Sequence, residues 1–322
     1  MSILPDFQSL SPDFILNALY RHYGIDAEAA LRPFNSYVNR VYGLNDTQGN
    51  RWIVKFYRPG RWLPEALAEE HAFLADAGEA GLPLALPITN LKGETLSYEA
   101  PYFWAVFPQK AGRTFEGESL SDLERIGSLV GRLHSAAKRR SCPHRLTLTA
   151  SGAGDQLTQE LWEADLLPHR LKEPFFTMLD HALDTIEPLL DGTVHHRIHG
   201  DLHRGNILDR ADEGLLLIDF DDMMTGPPVQ DLWMLLPDRW ENCREEAEVL
   251  ARGYEVWMPF DNRWWNLIEP LRFLRMLYFL AWCARQRKDE GFTRQFPGWG
   301  SPEFWQKEWE DLSDQYERLR LL

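Results

Sequence analysis

The sequence predicts an α+β protein with two lobes: a small antiparallel-sheet N-lobe with helices, and a larger, mostly helical C-lobe. Alternating side chains over residues 38–43 and the returning segment 52–57 predict two strands, and residues 94–98 and 102–107 are two further strand candidates. A polar turn over 45–50 joins the first two as a hairpin. The Pro- and Gly-containing stretch 108–112 then breaks the pattern. It predicts a hinge, which gives domains at 1–109 and 110–322.

Capping signals and apolar spacing define the helices. Ser11 followed by Pro12 predicts the start of a first helix, and Gly24 predicts its end. Ser121 and Glu124 have capping-box spacing, which predicts a helix that continues to residue 134. Further helices are expected where apolar residues recur at helical spacing, over 64–77, 173–190, 229–236, 244–257, 264–287 and 302–319.

Composition limits the possible partners and the compartment. A formal net charge of −15 disfavours nucleic acid as a partner, because nucleic-acid binders cluster Lys and Arg. The most apolar segment, 271–284, is too short to span a bilayer and contains Arg272 and Arg275, so no membrane partner is expected. The 3 cysteines form no CxxC pair, and residues 1–6 lack the pattern of a secretory signal. We therefore expect a cytoplasmic protein.

Residues 199–206, His-Gly-Asp-Leu-His-Arg-Gly-Asn, and the acidic strand end 218–221 carry the strongest functional signal. Phosphoryl transfer from ATP needs a carboxylate that deprotonates a hydroxyl, together with an amide and a second carboxylate that hold Mg²⁺. We predict that Asp201 is the base and that Asn206 and Asp219 bind the metal. A plain hairpin with a polar turn is the alternative, but a turn requires neither the preceding histidine nor a second acidic strand end.

A nucleotide site also needs a cation for the phosphates. Lys55 lies in a predicted strand, and the helix that follows offers Glu69 and Glu70 as carboxylates to hold the ammonium group. We prefer Glu70, because apolar residues follow it three and four positions later, as in a helix packed on a sheet. Protein kinases carry a glycine-rich loop where this chain has 33–39, which contains no glycine. The hydroxyl of Ser36 is predicted to contact the ATP phosphates instead, and a polar turn at the start of the strand is the alternative interpretation.

Other residues near these motifs are interpreted as structural. Asp231 is expected to start a helix and to bond the backbone of the catalytic loop. We interpret Asp221 and Asp222 as a solvated acidic turn, with a further metal contact or attraction of a basic substrate as the alternative. His134 is interpreted as a core histidine.

The quoted motifs resemble those of the aminoglycoside phosphotransferase and choline kinase superfamily, whose fold is protein-kinase-like. More narrowly, the segments 35–42, 54–59, 69–71 and 229–236 resemble the stress response kinase A family. The resemblance implies a monomeric, cytoplasmic, ATP- and Mg²⁺-dependent kinase that phosphorylates serine and threonine hydroxyls of proteins during stress. It implies the same roles for Asp201, Asn206, Asp219 and Ser36, and it adds Asp219 to the active-site residues.

Two other functions remain open. A small-molecule kinase that acts on an amino alcohol, such as an aminoglycoside, choline or homoserine, would use the same motifs. In its favour, the stretch between Asp222 and Asp231 is too short for the activation loop of ordinary protein kinases. An inactive nucleotide-binding scaffold is disfavoured, because the chain retains the proposed base, metal ligands and lysine.

Overall fold

The computed structural model describes residues 7–34, 36 and 38–322, so the prediction made for residues 1–6 lies outside the described part. In that part the strands are β1 (Arg32–Pro33), β2 (Arg40–Asn45), β3 (Arg51–Phe56), β4 (Ser97–Glu99), β5 (Tyr102–Pro108), β6 (Arg113–Thr114), β7 (His196–Ile198), β8 (Ile207–Asp209), β9 (Leu215–Leu217) and β10 (Met224–Gly226). The α-helices are α1 (Pro12–Tyr23), α2 (Pro64–Glu79), α3 (Leu120–Ala137), α4 (Asp155–Ala164), α5 (His169–Leu190), α6 (Gln230–Trp233), α7 (Arg244–Glu255), α8 (Ile268–Gln286), α9 (Glu290–Gln295) and α10 (Pro302–Leu319).

The chain forms two compact units. The sheet unit comprises the described residues up to 116 together with 204–221, and the helical unit comprises 117–203 and 222–322. The α+β fold class is confirmed. The predicted division places one boundary after residue 109, whereas each of these units combines segments that are separate in the sequence. The predicted domain boundary stays a prediction.

The sheet unit is built on a five-stranded antiparallel sheet with the order β1-β2-β3-β5-β4. The hairpin predicted from the alternation is β2 and β3, and in its register Lys55 lies opposite Val41 of β2 and Ala105 of β5. Val54 and Phe56 point into a core that α1 covers. Because successive side chains of a strand point to opposite faces, Lys55 faces the other side of the sheet.

A smaller three-stranded sheet, β6-β8-β9, belongs to the same unit. The register pairs Ile207 with Leu217, and the amide of Ile218 donates to the carbonyl of Asn206 at 3.0 Å. The ladder thus brings the beginning of β8 beside the end of β9. The two metal-binding residues predicted from the sequence, Asn206 and Asp219, lie at this one end of the ladder.

In the helical unit, α3 and α7 touch through glycines. A Cβ atom on Gly127 would lie 2.2 Å from the carbonyl oxygen of Leu250, and one on Gly253 would lie 2.2 Å from that of Glu124. Each glycine therefore admits the backbone of the opposite helix. Within the described ranges, 7–34, 36 and 38–322, we find no helix with the length and hydropathy of a membrane-spanning segment.

Several predicted boundaries are corrected by the structure. The capping box of α3 is formed by Ser119 and Asp122, so the helix starts earlier than the box predicted from Ser121 and Glu124. α4 was not predicted, and α5 begins before residue 173. The helix expected over 229–236 is the four-residue α6, and residues 262–267 form a 3₁₀ helix before α8. The caps of α1 at Ser11 and Gly24 are confirmed, as are the bounds of α10.

We expect Gly127→Ala to lower the free energy of unfolding by about 2 kcal/mol or more, because the added methyl group would press on the backbone of α7. The higher helix propensity of alanine, worth about 1 kcal/mol, opposes this effect without cancelling it. Urea unfolding measures the change. The control is Gly298→Ala, where the new Cβ atom would have no neighbour within 4 Å. Equal stability of the two variants would contradict the close contact.

Candidate active site

Lys55 is the centre of a charged cluster in the sheet unit. Its Nζ donates to Oε1 of Glu70 at 3.1 Å, and it lies 3.5 Å from Asp221 Oδ1 and 3.6 Å from Asp219 Oδ1. The residue is only 8% exposed. Burial, the largest single influence, lowers the pKa of Lys55, but the combined attraction of Glu70, Asp221 and Asp219 raises it above its ordinary value. The ammonium group is therefore charged at neutral pH.

Glu70 is held in place by a chain of buried hydrogen bonds. The hydroxyl of Tyr57 donates to Glu70 Oε1 at 3.3 Å and lies 3.0 Å from Nε2 of His71. The Nδ1 atom of His71 is 2.8 Å from the hydroxyl of Thr95. Of the two carboxylates considered from the sequence, the structure brings Glu70 to Lys55. Its apolar neighbours on α2 place it on the buried face of that helix.

Asp221 corrects one interpretation from the sequence. It is 3% exposed, so it is not part of a solvated acidic turn. Its Oδ2 forms an ion pair with Nη1 of Arg61, while Oδ1 faces Lys55. Two cations thus hold one buried carboxylate, which compensates the cost of its desolvation. Since Asp221 follows Asp219 by two positions, this pair fixes the turn that carries Asp219.

The end of the β8–β9 ladder presents hard oxygen donors. Asp219 adopts a left-handed backbone conformation, with φ of 62°, and its side chain is 57% exposed. Asn206 is buried on the adjacent strand end. One amide and one carboxylate suit Mg²⁺, which is commonly bound through few protein ligands and completes its shell with water and phosphate oxygens. The described residues contain no cluster of three or more His, Cys, Asp or Glu that could hold a metal ion.

The loop that replaces a glycine-rich loop is described only in part. Asn35 and Tyr37 lie outside the described residues. Ser36 is half-buried, and its carbonyl accepts from Nη1 of Arg40 at 3.4 Å. Its predicted contact with ATP stays a prediction. The following residue of known position, Val38, accepts at its carbonyl from Nε of Arg58 at 2.7 Å, which ties this loop to the end of β3.

In the helical unit, Asp231 fastens the loop that carries Asp201. Its Oδ2 accepts from the amide of His199 at 2.6 Å, and its Oδ1 accepts from the amide of Gly200 at 2.9 Å. His134, which is fully buried, lies 3.0 Å from the same carboxylate. Burial raises the pKa of Asp231, but these hydrogen bonds and the two histidines lower it overall. Asp231 and His134 therefore have the structural parts expected of them.

Gly200 meets two requirements that exclude a side chain. Its φ is 82°, which favours glycine, and a Cβ atom there would lie 2.3 Å from the carbonyl oxygen of Asp222. The tight turn at Gly200 sets the direction of Asp201, the next residue.

Asp201 is paired with a cation from α8. Nη2 of Arg275 lies 2.5 Å from Oδ1, and Nε2 of His203 lies 3.7 Å from Oδ2. The hydroxyl of Tyr278, one turn after Arg275, donates to Oδ1 of Asp222. Burial raises the pKa of Asp201 and Asp222 raises it further, while Arg275 and the two nearby histidines lower it; the net direction is upward.

Sequence reasoning missed Arg61, Arg275 and Tyr278. Arg61 follows β3 in a Pro-Gly turn, where a charged residue is ordinary, so no local signal marks it. Arg275 did give a signal: it interrupts the apolar run 271–284, and a charged residue within a core helix requires a partner.

Comparison with known proteins gives the class of the chain. Residues 30–268 match the phosphotransferase enzyme family. The chain is similar to stress response kinase A of Escherichia coli, with 38% identity over 93% of this chain and 90% of the relative. It is 37% identical to the serine/threonine protein kinase RdoA of Salmonella typhimurium, over 94% of this chain and 91% of the relative.

Among solved structures, an amicoumacin kinase in complex with AMP-PNP, Ca²⁺ and its ligand superimposes with a TM-score of 0.76 at 16% identity, covering 96% of this chain and 97% of that one. That likeness establishes the kinase-like fold. The chain belongs to the phosphotransferase enzyme family and, within it, to the stress response kinase A family. Kinase-type phosphotransfer is thus its general activity.

His196 is a buried histidine that packs against His134, the neighbour of Asp231. The ring of His196 lies 4.6 Å from that of His134, and its Nδ1 donates to the carbonyl of Arg197 at 2.7 Å. Burial, reinforced by His134, lowers the pKa of His196 to about 3. The unfolded chain takes up this proton near pH 6.5, whereas the folded protein does so only near pH 3.

We therefore expect the His196 contribution to stability to be lost progressively as the pH falls from 6.5 towards 3. One proton corresponds to a slope of at most about 1.4 kcal/mol per pH unit. Urea unfolding at several pH values should show a shallower slope for His196→Asn than for the wild type. The exposed His181→Asn on α5 serves as the control. An unchanged slope in His196→Asn would contradict a histidine that stays neutral in the fold.

Proposed function

We propose that this chain is an ATP- and Mg²⁺-dependent serine/threonine protein kinase of the bacterial stress response. The observation that carries the kinase chemistry is the buried ammonium group of Lys55, held 3.1 Å from Glu70 and facing the exposed Asp219. A cation in this setting can bind the phosphates of ATP, because Glu70 holds it in place and the side chain of Asp219 stays exposed.

The other residues then have defined parts. Asn206 and Asp219 would hold Mg²⁺, which supplies neutralisation of the phosphate charge when bound. Arg61 and Asp221 keep the turn of Asp219 in place. Asp201 accepts the proton of the acceptor hydroxyl, and Asp231 holds the backbone before it. Ser36 contacts the ATP phosphates in this proposal.

Protein hydroxyls are the proposed acceptors, and the similarity to kinases of this name over more than nine-tenths of the chain supports that choice. The pairing of Asp201 with Arg275 supports it further. An amino alcohol would bring its own ammonium group near the base, where the guanidinium already stands. A serine or threonine side chain brings no such charge. We further propose that the protein acts as a cytoplasmic monomer that binds neither nucleic acid nor membrane.

The acceptor class can be tested with the purified protein, Mg²⁺ and γ-labelled ATP. One reaction contains a heat-treated lysate of cells that lack their own copy, and another contains choline, homoserine and an aminoglycoside. We expect label in protein, recovered as phosphoserine and phosphothreonine, and a loss of about 10²–10⁴-fold in turnover for Asp201→Asn. Label in the small molecules alone would refute the protein-kinase proposal. Near-native turnover of Asp201→Asn would refute the role of the base.

A second prediction concerns the lysine pair. Glu70→Gln should raise the KM for ATP, because Lys55 loses the carboxylate that positions it, and kcat should fall by about tenfold or more. Glu69→Gln, its neighbour on α2, is the matched control and should change both values by less than about twofold. Steady-state kinetics with varied ATP measures both. Equal effects of the two substitutions would contradict a specific role for Glu70.

A further inference from the structure

Arg275 is the cation that pairs with Asp201, the proposed base. Arg275 lies in the second turn of α8, within the apolar run of a helix that is otherwise largely buried. Its Nη2 approaches Oδ1 of Asp201 to 2.5 Å, and its side chain is 31% exposed. A long side chain loses conformational freedom when an ion pair holds it in one place, and the pair must offset that cost.

Charged and polar groups face Asp201 from three segments of the helical unit. Arg275 comes from α8, Asp222 from the segment before β10, and His199 and His203 from the loop of Asp201 itself. Asp222 is in turn held by the hydroxyl of Tyr278, which lies on the same face of α8 as Arg275. One helix face thus controls both carboxylates, with a cation on one and a hydroxyl donor on the other.

We propose that Arg275 is the positioning residue of the catalytic base: its guanidinium holds Oδ1 of Asp201, so that Oδ2 is directed to the acceptor hydroxyl. This inference rests on the proposed function, since it presupposes Asp201 as the base. A guanidinium is suited to the task, because it is always charged and its planar donors fix the orientation of a carboxylate.

In the proposed step, phosphoryl transfer is coupled to a proton transfer from the acceptor to Asp201. The O–H bond of the acceptor breaks, and its proton passes to Oδ2 of Asp201. The acceptor oxygen forms a bond to the γ-phosphorus while the bond from that phosphorus to the bridging oxygen breaks, and ADP leaves with the electron pair. Burial and Asp222 favour the protonated form of Asp201, and the charge of Arg275 opposes them. Without Arg275 the base would be protonated over a wider pH range.

The test compares the wild type with Arg275→Gln and Arg275→Lys. The control is Arg285→Gln, which removes a cation from the same helix that pairs with Glu160 instead. Selective ¹³C-aspartate labelling gives the titration of Asp201, assigned by the signal lost in Asp201→Asn. We expect its pKa to rise in Arg275→Gln and to stay near the wild-type value in Arg275→Lys and in the control.

Kinetics supplies the second readout. In Arg275→Gln, kcat should fall by on the order of 10–10²-fold, and the acid limb of its pH profile should move to higher pH, while the KM for ATP changes by less than about twofold. Lysine should restore the acid limb but not the full kcat, because it lacks the planar fork. If the circular dichroism of Arg275→Gln shows that this variant does not fold, the test rests on Arg275→Lys. A wild-type kcat in Arg275→Lys would overturn the proposal.

An unchanged titration of Asp201 in Arg275→Gln, or an equal effect of Arg285→Gln, would also overturn the positioning role. A different result would contradict the proposed function itself. If Asp201→Asn turned over like the wild type, the base would be wrongly assigned, whatever the titration of Asp201 showed.

Discussion

A buried ammonium group must be surrounded by opposite charge, and the sheet unit is organised around that requirement at Lys55. The strand β3 places the side chain on the face that α2 covers, and Glu70 meets it there at 3.1 Å. Removing Glu70 would take the nearest of three carboxylates away from a desolvated cation, which costs more than losing an exposed ion pair. The position of α2 and the turn of Asp221 are therefore tied to the charge of one lysine.

The helical unit applies the same principle to backbone groups. Two consecutive amides, those of His199 and Gly200, both donate to the one buried carboxylate of Asp231. A carboxylate that receives several donors stays ionised even when buried. The loop that carries Asp201 thus has its direction set by a residue about thirty positions later.

Local chemistry made part of this fold predictable. The hairpin of β2 and β3, the caps of α1 and the bounds of α10 were readable because the deciding residues are neighbours in the chain. α4 was missed because it follows a π-helical turn at 150–154 and has no side-chain cap at Gly154; the side-chain cap, Thr149, lies at the start of that turn instead. The apolar neighbours of Glu70 in the sequence favoured it over Glu69. The burial of Asp221 could not be predicted in this way, because its partner Arg61 lies 160 residues away in the sequence. The functional roles assigned to these residues remain predictions.

The left-handed backbone of Asp219 places two demands on one position. Most side chains clash in that conformation, while Asp and Asn tolerate it because their short polar groups can bond locally. Evolution therefore has little freedom here: a substitution that keeps an anion but lengthens it, such as glutamate, would strain the main chain, and glycine would relax the main chain but remove the anion. Aspartate alone among the common residues meets both conditions, so its retention in related sequences would not by itself separate catalysis from folding.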